Sequence, residues 1–222
     1  MDLATAVRYV TAGYERHTLK VGGTEVLVEP YGTKDLAVVF RGSDKLDDWW
    51  TNLDAGMVRF FGSEEAYVHG GFLSSYGAAR ADLFTLLYAL DTFQRKTIHV
   101  LGHSQGGSKG LLFAADLLQP KPDGLGPLGV VYKTEKIKVR TFGCPNTGNA
   151  AFNEILADVD VDQYEHGYDP VPSVPPELFG FKKLRFPTQG WSWWHTWLPV
   201  IRRMPSRIGR DHLWKNYARV FG

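Results

Sequence analysis

The sequence predicts an α/β fold in which a mostly parallel sheet is flanked by helices. Two observations support this prediction. Short β-branched, apolar runs alternate with stretches whose apolar residues recur at helical spacing, and this alternation is typical of a parallel sheet. A glycine-rich turn at residues 102–106 also stands directly between a strand-like run and a helix-like one. A chain of 222 residues can form one domain with a full core, so we expect a single domain over residues 1–222.

In the N-terminal half, the pattern predicts two long helices and a pair of strands. Residues 4–16 and 71–90 carry apolar residues at helical spacing and are predicted to be amphipathic helices. The apolar runs at 24–28 and 36–40 are predicted strands, because a Pro-Tyr-Gly turn separates them. A short helix is predicted over 46–53.

In the C-terminal half, strands and helices continue to alternate. A loop rich in proline and glycine is predicted at 119–127, after the helix that follows the glycine-rich turn. The remaining strands are predicted at 97–101, 137–142 and 159–164, and the remaining helices at 107–118, 148–157 and from residue 212 onward. The sequence shows no internal repeat and no domain boundary.

Composition and the N-terminal residues limit the expected partners, redox chemistry and location of the protein. The net charge is +1 without a basic block, so nucleic acid is not an expected partner. The single cysteine, Cys144, precludes an intrachain disulfide and is expected to be a small core residue. The N-terminal residues lack a signal-peptide pattern, which predicts a cytoplasmic chain unless a leader was already removed from a secreted one. No cofactor or metal is expected, and the oligomeric state is not indicated.

The glycine-rich turn reads Gly-His-Ser-Gln-Gly and has the G-x-S-x-G pattern of a nucleophile elbow. Such a turn holds its serine in a strained backbone conformation and exposes the hydroxyl beside the first amides of the following helix. Gly102 and Gly106 are required because a side chain at either position would collide with neighbouring backbone. Ser104 is therefore the predicted nucleophile, and the side chain of His103 is expected to point away from it.

A serine nucleophile needs a base, and the base needs an acid that orients it. On this architecture the chain order is serine, acid, histidine, so both partners lie downstream of Ser104. Asp169 is the predicted acid because it follows the strand 159–164 and precedes a rigid proline; it is favoured over Asp158, Asp160 and Asp162. His212 is the predicted base, and His195, within a tryptophan-rich segment, is the alternative.

Acyl transfer also requires donors for the developing oxyanion. The backbone N–H of Gln105, directly after the nucleophile, is one expected donor. The second is expected from a loop after an earlier strand, where Ser43 offers both its N–H and its hydroxyl.

These segments together resemble the class 3 (fungal-type) lipases of the α/β-hydrolase fold. The resemblance covers about residues 36–213 and departs from the family pattern at Gln105, where a leucine is usual. Since that residue acts through its backbone, the oxyanion hole should be intact. The matching segments are F-R-G-S at 40–43, H-G-G-F at 69–72, G-H-S-Q-G-G at 102–107, T-F-G-C-P at 141–145 and D-P-V-P at 169–172.

The resemblance implies a serine ester hydrolase, most simply a triacylglycerol lipase or carboxylesterase that acts on lipid esters. The alternatives are a phospholipase A1-type enzyme, a soluble short-chain esterase or acyltransferase with the same triad, and a catalytically silent binding module. Such lipases carry a lid after the oxyanion loop, which here falls on residues 44–54. Apolar side chains that could contact substrate or, transiently, a lipid surface are Trp49, Trp50, Trp193 and Trp194. The alternative for the cluster that contains Trp193 and Trp194 is packing in the core under a long loop.

Overall fold

The protein is built around a six-stranded sheet in a computed structural model that describes residues 1–43, 56–91, 96–120, 131–184 and 212–222. The strands of this sheet are β1 (Leu19–Val21), β2 (Thr24–Tyr31), β3 (Asp35–Phe40), β6 (Thr97–His103), β7 (Ile137–Phe142) and β8 (Asp160–Tyr164). They lie side by side in the order β1-β2-β3-β6-β7-β8. The pairs β1–β2 and β2–β3 are antiparallel, and β3, β6, β7 and β8 run parallel.

Two further strands pair antiparallel as a separate hairpin, and helices cover the sheet. The hairpin strands are β4 (Met57–Arg59) and β5 (Tyr67–His69). The helices are α1 (Leu3–Glu15), α2 (Gly70–Leu90), α3 (Gln105–Leu117), α4 (Ala150–Ile155) and α5 (Trp214–Phe221). Asp2 caps α1 by accepting the Thr5 N–H at 2.8 Å, which is the usual role of an aspartate at that position. The predicted fold class, a mostly parallel sheet flanked by helices, is confirmed.

Both faces of the central strands are buried, because successive side chains of a strand point to opposite sides of the sheet. In β3, Val38 packs in the core beneath α2 and α3, together with Leu83 and Leu111. The neighbouring Val39 packs on the opposite face in a second core that includes residues of α1 and α5. This burial explains why residues 36–40 of β3 are a continuous apolar run.

The sequence pattern did not predict β1 or the β4–β5 hairpin. Each of these strands has three residues, and none is fully buried along its length. The helix predicted over 46–53 lies outside the described residues. Within the described part of the chain, no helix combines the length and apolar character needed to span a membrane.

The candidate site lies at the carboxyl edge of the parallel strands, as is usual in open α/β sheets. Phe40 pairs with Gly102, and His103 pairs with Phe142, so three neighbouring strands end at the same level. The segments after β3 and β6 carry Ser43, Ser104 and Gln105, and the loop after β8 carries Asp169.

Candidate active site

Ser104 occupies a strained turn between β6 and α3. Its φ of 57° and ψ of −136° make it the only non-glycine residue with positive φ among the described residues. A Cβ added to Gly102 would lie 2.4 Å from the Gly106 carbonyl oxygen, and one added to Gly106 would lie 2.2 Å from the Phe40 carbonyl oxygen. The turn therefore needs glycine at both positions, as the elbow pattern requires.

Ser104, His212 and Asp169 form a continuous hydrogen-bonded chain. The distance from Ser104 Oγ to His212 Nε2 is 2.8 Å, and that from His212 Nδ1 to Asp169 Oδ2 is 2.7 Å. All three residues are at most 3% exposed. Nδ1–H donates to the carboxylate, so Nε2 is left to accept the serine proton, which is the tautomer that a general base requires.

The carboxylate of Asp169 is held by three donors. His212 Nδ1–H and the Tyr217 hydroxyl both donate to Oδ2, the latter at 2.6 Å, and the Val171 N–H donates to Oδ1 at 2.9 Å. Burial and the adjacent Asp169 raise the pKa of Tyr217 well above its ordinary value, so its hydroxyl keeps its proton and acts as a donor. The three bonds fix the acid in position and orientation.

The main chain of the predicted base is held by His103. His103 Nε2–H donates to the His212 carbonyl oxygen at 2.9 Å, and the Tyr14 hydroxyl donates to His103 Nδ1 at 2.7 Å. Burial, together with the nearby His212, lowers the pKa of His103 well below 6.5, which matches the neutral tautomer that these two bonds require. The His103 ring also stacks on the His212 ring, with centroids 4.8 Å apart.

Space for the acid and the base is created by Gly143, the first residue after β7. Its φ is +55°, and an added Cβ would lie 2.8 Å from Asp169 Oδ2, 3.0 Å from the Tyr217 hydroxyl and 3.1 Å from His212 Cε1. A residue with a side chain would therefore be strained in its backbone and would push on the hydrogen-bonded chain.

The two predicted oxyanion donors belong to segments that adjoin the nucleophile. Gln105 is the first residue of α3, where a helix leaves its N–H groups without intrahelical partners. The loop before Ser43 passes close to the nucleophile, since a Cβ added to Gly42 would lie 3.2 Å from Ser104 Cβ. Ser43 also lines a cleft of about 280 Å³ together with His212.

Other candidates have different roles. Asp160 and Asp162 form ion pairs with Arg140, at 3.0 and 2.8 Å. Cys144 is buried, and burial raises the pKa of its thiol to about 12, which excludes an activated nucleophile. Among the described residues, no group of His, Cys, Asp and Glu side chains is arranged to hold a metal ion.

Several predicted residues lie outside the described residues. They are the predicted lid at 44–54 with Trp49 and Trp50, the tryptophans Trp193 and Trp194, and the alternative base His195. Sequence reasoning in turn missed Tyr14, Gly143 and Tyr217. The glycine directly after strand β7 was a usable signal for Gly143, because glycine is common where positive φ is needed. The two tyrosines carried no local signal.

The chain is similar in sequence to known lipases. A family model described as "Lipase (class 3)" matches residues 37–179. A lipase of Rhizomucor miehei is 32% identical over 151 residues, which are 67% of this chain and 39% of that protein. Secreted mono- and diacylglycerol lipase 1 of Fusarium solani is 30% identical over 152 residues, which are 67% of this chain and 42% of that protein.

Among solved structures, a triacylglycerol lipase whose catalytic centre is described as a serine protease triad is 29% identical and has a TM-score of 0.61. The similarity covers 73% of this chain and 62% of that one. The match to the Rhizomucor and Fusarium relatives spans about two fifths of their length. The family model covers more than half of the chain and includes the nucleophile elbow and the acid loop. The chain belongs to the class 3 lipase family and has the α/β-hydrolase fold.

Proposed function

We propose that the protein hydrolyses carboxylic esters of lipids, as a lipase or carboxylesterase, through an acyl-enzyme on Ser104. The observation that supports the proposal best is the unbroken chain from Ser104 Oγ through His212 to Asp169, built on a nucleophile elbow. Serine, base and orienting acid at these distances are the parts that acyl transfer needs.

In the first half of the reaction, Ser104 Oγ attacks the ester carbonyl while His212 Nε2 takes its proton. The carboxylate of Asp169 stabilises the resulting imidazolium, because it already accepts the Nδ1–H bond. The new oxyanion is stabilised by the Gln105 N–H and by Ser43. His212 then gives the proton to the leaving alcohol, which departs and leaves the acyl group on Ser104.

In the second half, water enters the position that the alcohol vacated. His212 removes its proton, the hydroxide attacks the acyl carbonyl, and the same donors stabilise the second oxyanion. Collapse of this intermediate returns the proton to Ser104 Oγ and releases the fatty acid. Binding of an alcohol in place of water would give the acyltransferase variant of the reaction.

The substrate class is proposed from the names of the relatives, one a lipase and one a secreted mono- and diacylglycerol lipase. We therefore place lipid esters first, with a phospholipase A1-type enzyme and a short-chain esterase as alternatives, and we favour secretion over a cytoplasmic location. Rates on a chain-length series of esters, measured with and without an emulsified interface, separate a lipase from a soluble esterase.

The nucleophile is tested by Ser104→Ala. We expect the variant to lose labelling by a fluorophosphonate probe and to lose hydrolysis of p-nitrophenyl butyrate by several orders of magnitude, while its thermal unfolding stays cooperative. Ser108→Ala is the matched control, because Ser108 is a buried serine in the first turn of α3, directly after the elbow, and its hydroxyl accepts a hydrogen bond from the Thr147 hydroxyl at 3.0 Å. Labelling of the Ser104→Ala protein would refute the assignment.

The base is tested by comparing two histidine variants. His212→Ala should be as inactive as Ser104→Ala, because members of a triad act as a unit. His195→Ala should keep its kcat on a soluble ester. The reverse result would assign the base to His195, and full activity in both variants would exclude either as the base.

A further inference from the structure

The cleft beside the predicted base combines apolar walls with one cation. It lies between the oxyanion loop and the start of α5 and has a volume of about 280 Å³. Its described lining residues are Tyr14, Ser43, His103, His212, Leu213, Trp214 and Lys215. Because His103 is neutral, the exposed Lys215 is the only permanently charged cation among these described residues, and none of them carries a carboxylate.

Within the part of the chain that the structure describes, no carboxylate forms an ion pair with Lys215. It lies in the first turn of α5, where a cation meets the positive end of the helix dipole and is unfavourable. Arg219 occupies the last turn of the same helix, where a cation is favourable. The position of Lys215 is therefore explained better by the cleft than by the helix.

The cleft adjoins the reacting atoms. Ser43 and His212, which both line it, are the predicted oxyanion donor and the predicted base. The elbow places Ser104 Oγ 2.8 Å from His212 Nε2. A substrate group in the cleft is thus only a few bonds from the ester that Ser104 attacks. A volume of this size accommodates one small polar group with its connecting atoms rather than a whole lipid.

We propose that Lys215 is a specificity-determining residue that favours lipid esters with an anionic group close to the scissile ester. This rests on the ester hydrolysis proposed above and narrows its substrate class. The matching chemistry is a phosphate or a carboxylate on the glycerol part of the substrate, paired with the ammonium in a partly solvent-exposed cleft. The apolar walls of Tyr14, Leu213 and Trp214 reduce solvation around the pair and so strengthen it.

The test uses substrates that stay monomeric, so that interface binding does not contribute. The probes are dihexanoylglycerol, dihexanoylphosphatidylglycerol and the hemisuccinate of dihexanoylglycerol, each below its micelle concentration. We expect Lys215→Gln to lower kcat/KM on the two anionic esters about fivefold through KM, and to leave the neutral ester unchanged. A decrease for only one anionic ester identifies phosphate or carboxylate as the preferred group.

Three controls make the test specific. Arg219→Gln removes an exposed charge from the same helix outside the cleft lining and should change none of the ratios. Lys215→Arg keeps the charge and should retain most of the preference. Raising the salt from about 0.05 to 0.5 M should reduce the wild-type preference and leave that of Lys215→Gln unchanged.

The proposal would be overturned if Lys215→Gln had the same ratio of anionic to neutral kcat/KM as the wild-type protein. An equal decrease in kcat/KM on all three esters would give that result. Failure of the proposed function would look different, because the wild-type protein would then hydrolyse none of them.

Discussion

Gly143→Ala is the change that most directly probes the geometry of the site. Two effects are expected from the structure. The first is backbone strain, because alanine at φ +55° costs about 1–2 kcal/mol. The second is crowding, because the new methyl group would lie 2.8 Å from Asp169 Oδ2 and 3.1 Å from His212 Cε1. These groups must move by several tenths of an ångström to reach ordinary contact distances.

The two effects can be separated with a second glycine. Gly32 has a φ of +62°, and a Cβ added there would meet nothing within 4 Å. Gly32→Ala therefore carries a similar strain without the crowding. Strain alone should lower the Tm of either variant by about 2–8 °C, since 1 kcal/mol corresponds to about 2–4 °C in a chain of this size.

Crowding should affect only the Gly143→Ala variant, and it should be visible in its kinetics. We expect its kcat on a soluble ester, per active site titrated with a fluorophosphonate, to fall about ten- to a hundredfold, because small displacements of catalytic groups are costly. Gly32→Ala should keep the wild-type kcat. If Gly143→Ala also kept the wild-type kcat and lost no more Tm than Gly32→Ala, the argument that Gly143 makes room for the triad would be wrong.

Two further predictions concern the residues that support the triad. Tyr217→Phe removes one hydrogen-bond donor from Asp169 and should lower kcat about three- to thirtyfold with little change in KM. A hydrogen bond to a charged group is worth about 1.5–3 kcal/mol, and only part of that energy stabilises the transition state. Tyr76→Phe removes a similar buried bond, to Asp116 at 2.7 Å, and should lower stability alone; equal kcat losses in both variants would show a general loss of fold. The pKa of His103 is lowered in the native protein, so below pH about 6.5 the unfolded chain binds a proton that the native protein does not. The free energy of unfolding therefore decreases as the pH falls, by up to about 1.4 kcal/mol per pH unit. Denaturant unfolding at pH 7.5 and 5.5 should show a smaller loss for His103→Asn than for the wild-type protein, and identical losses would contradict this assignment.

The parallel part of the fold was predictable because its strands carry apolar residues in recognisable patterns. Strand β7, for example, was predicted with the boundaries that the structure shows, Ile137–Phe142, since apolar residues that are buried alternate there with the half-buried Lys138 and Arg140. Strand β1 was not predictable, because its three residues are only partly buried and leave no apolar run. Its existence depends on pairing with β2, which is a tertiary effect.

The site likewise contains residues that the sequence predicted and residues that it did not. Ser104 and Asp169 were predicted from local motifs, because an elbow and an acid loop each need particular residues next to one another. Tyr217 contacts Asp169 across 48 positions of sequence, and Tyr14 contacts His103 across 89. No local pattern encodes such contacts. They arise only when α1 and α5 pack side by side on one face of the sheet.

This packing of α5 on α1 affects when activity appears as the chain folds. Trp214 Nε1–H donates to Thr11 Oγ1 at 3.1 Å, and the Trp214 ring stacks on Tyr14. The strands and the helix that position Ser104 all precede residue 212, so a partly folded chain can present the serine without its base. Recovery of hydrolysis during refolding should therefore lag behind recovery of the sheet, and would measure the arrival of the last helix rather than collapse of the core.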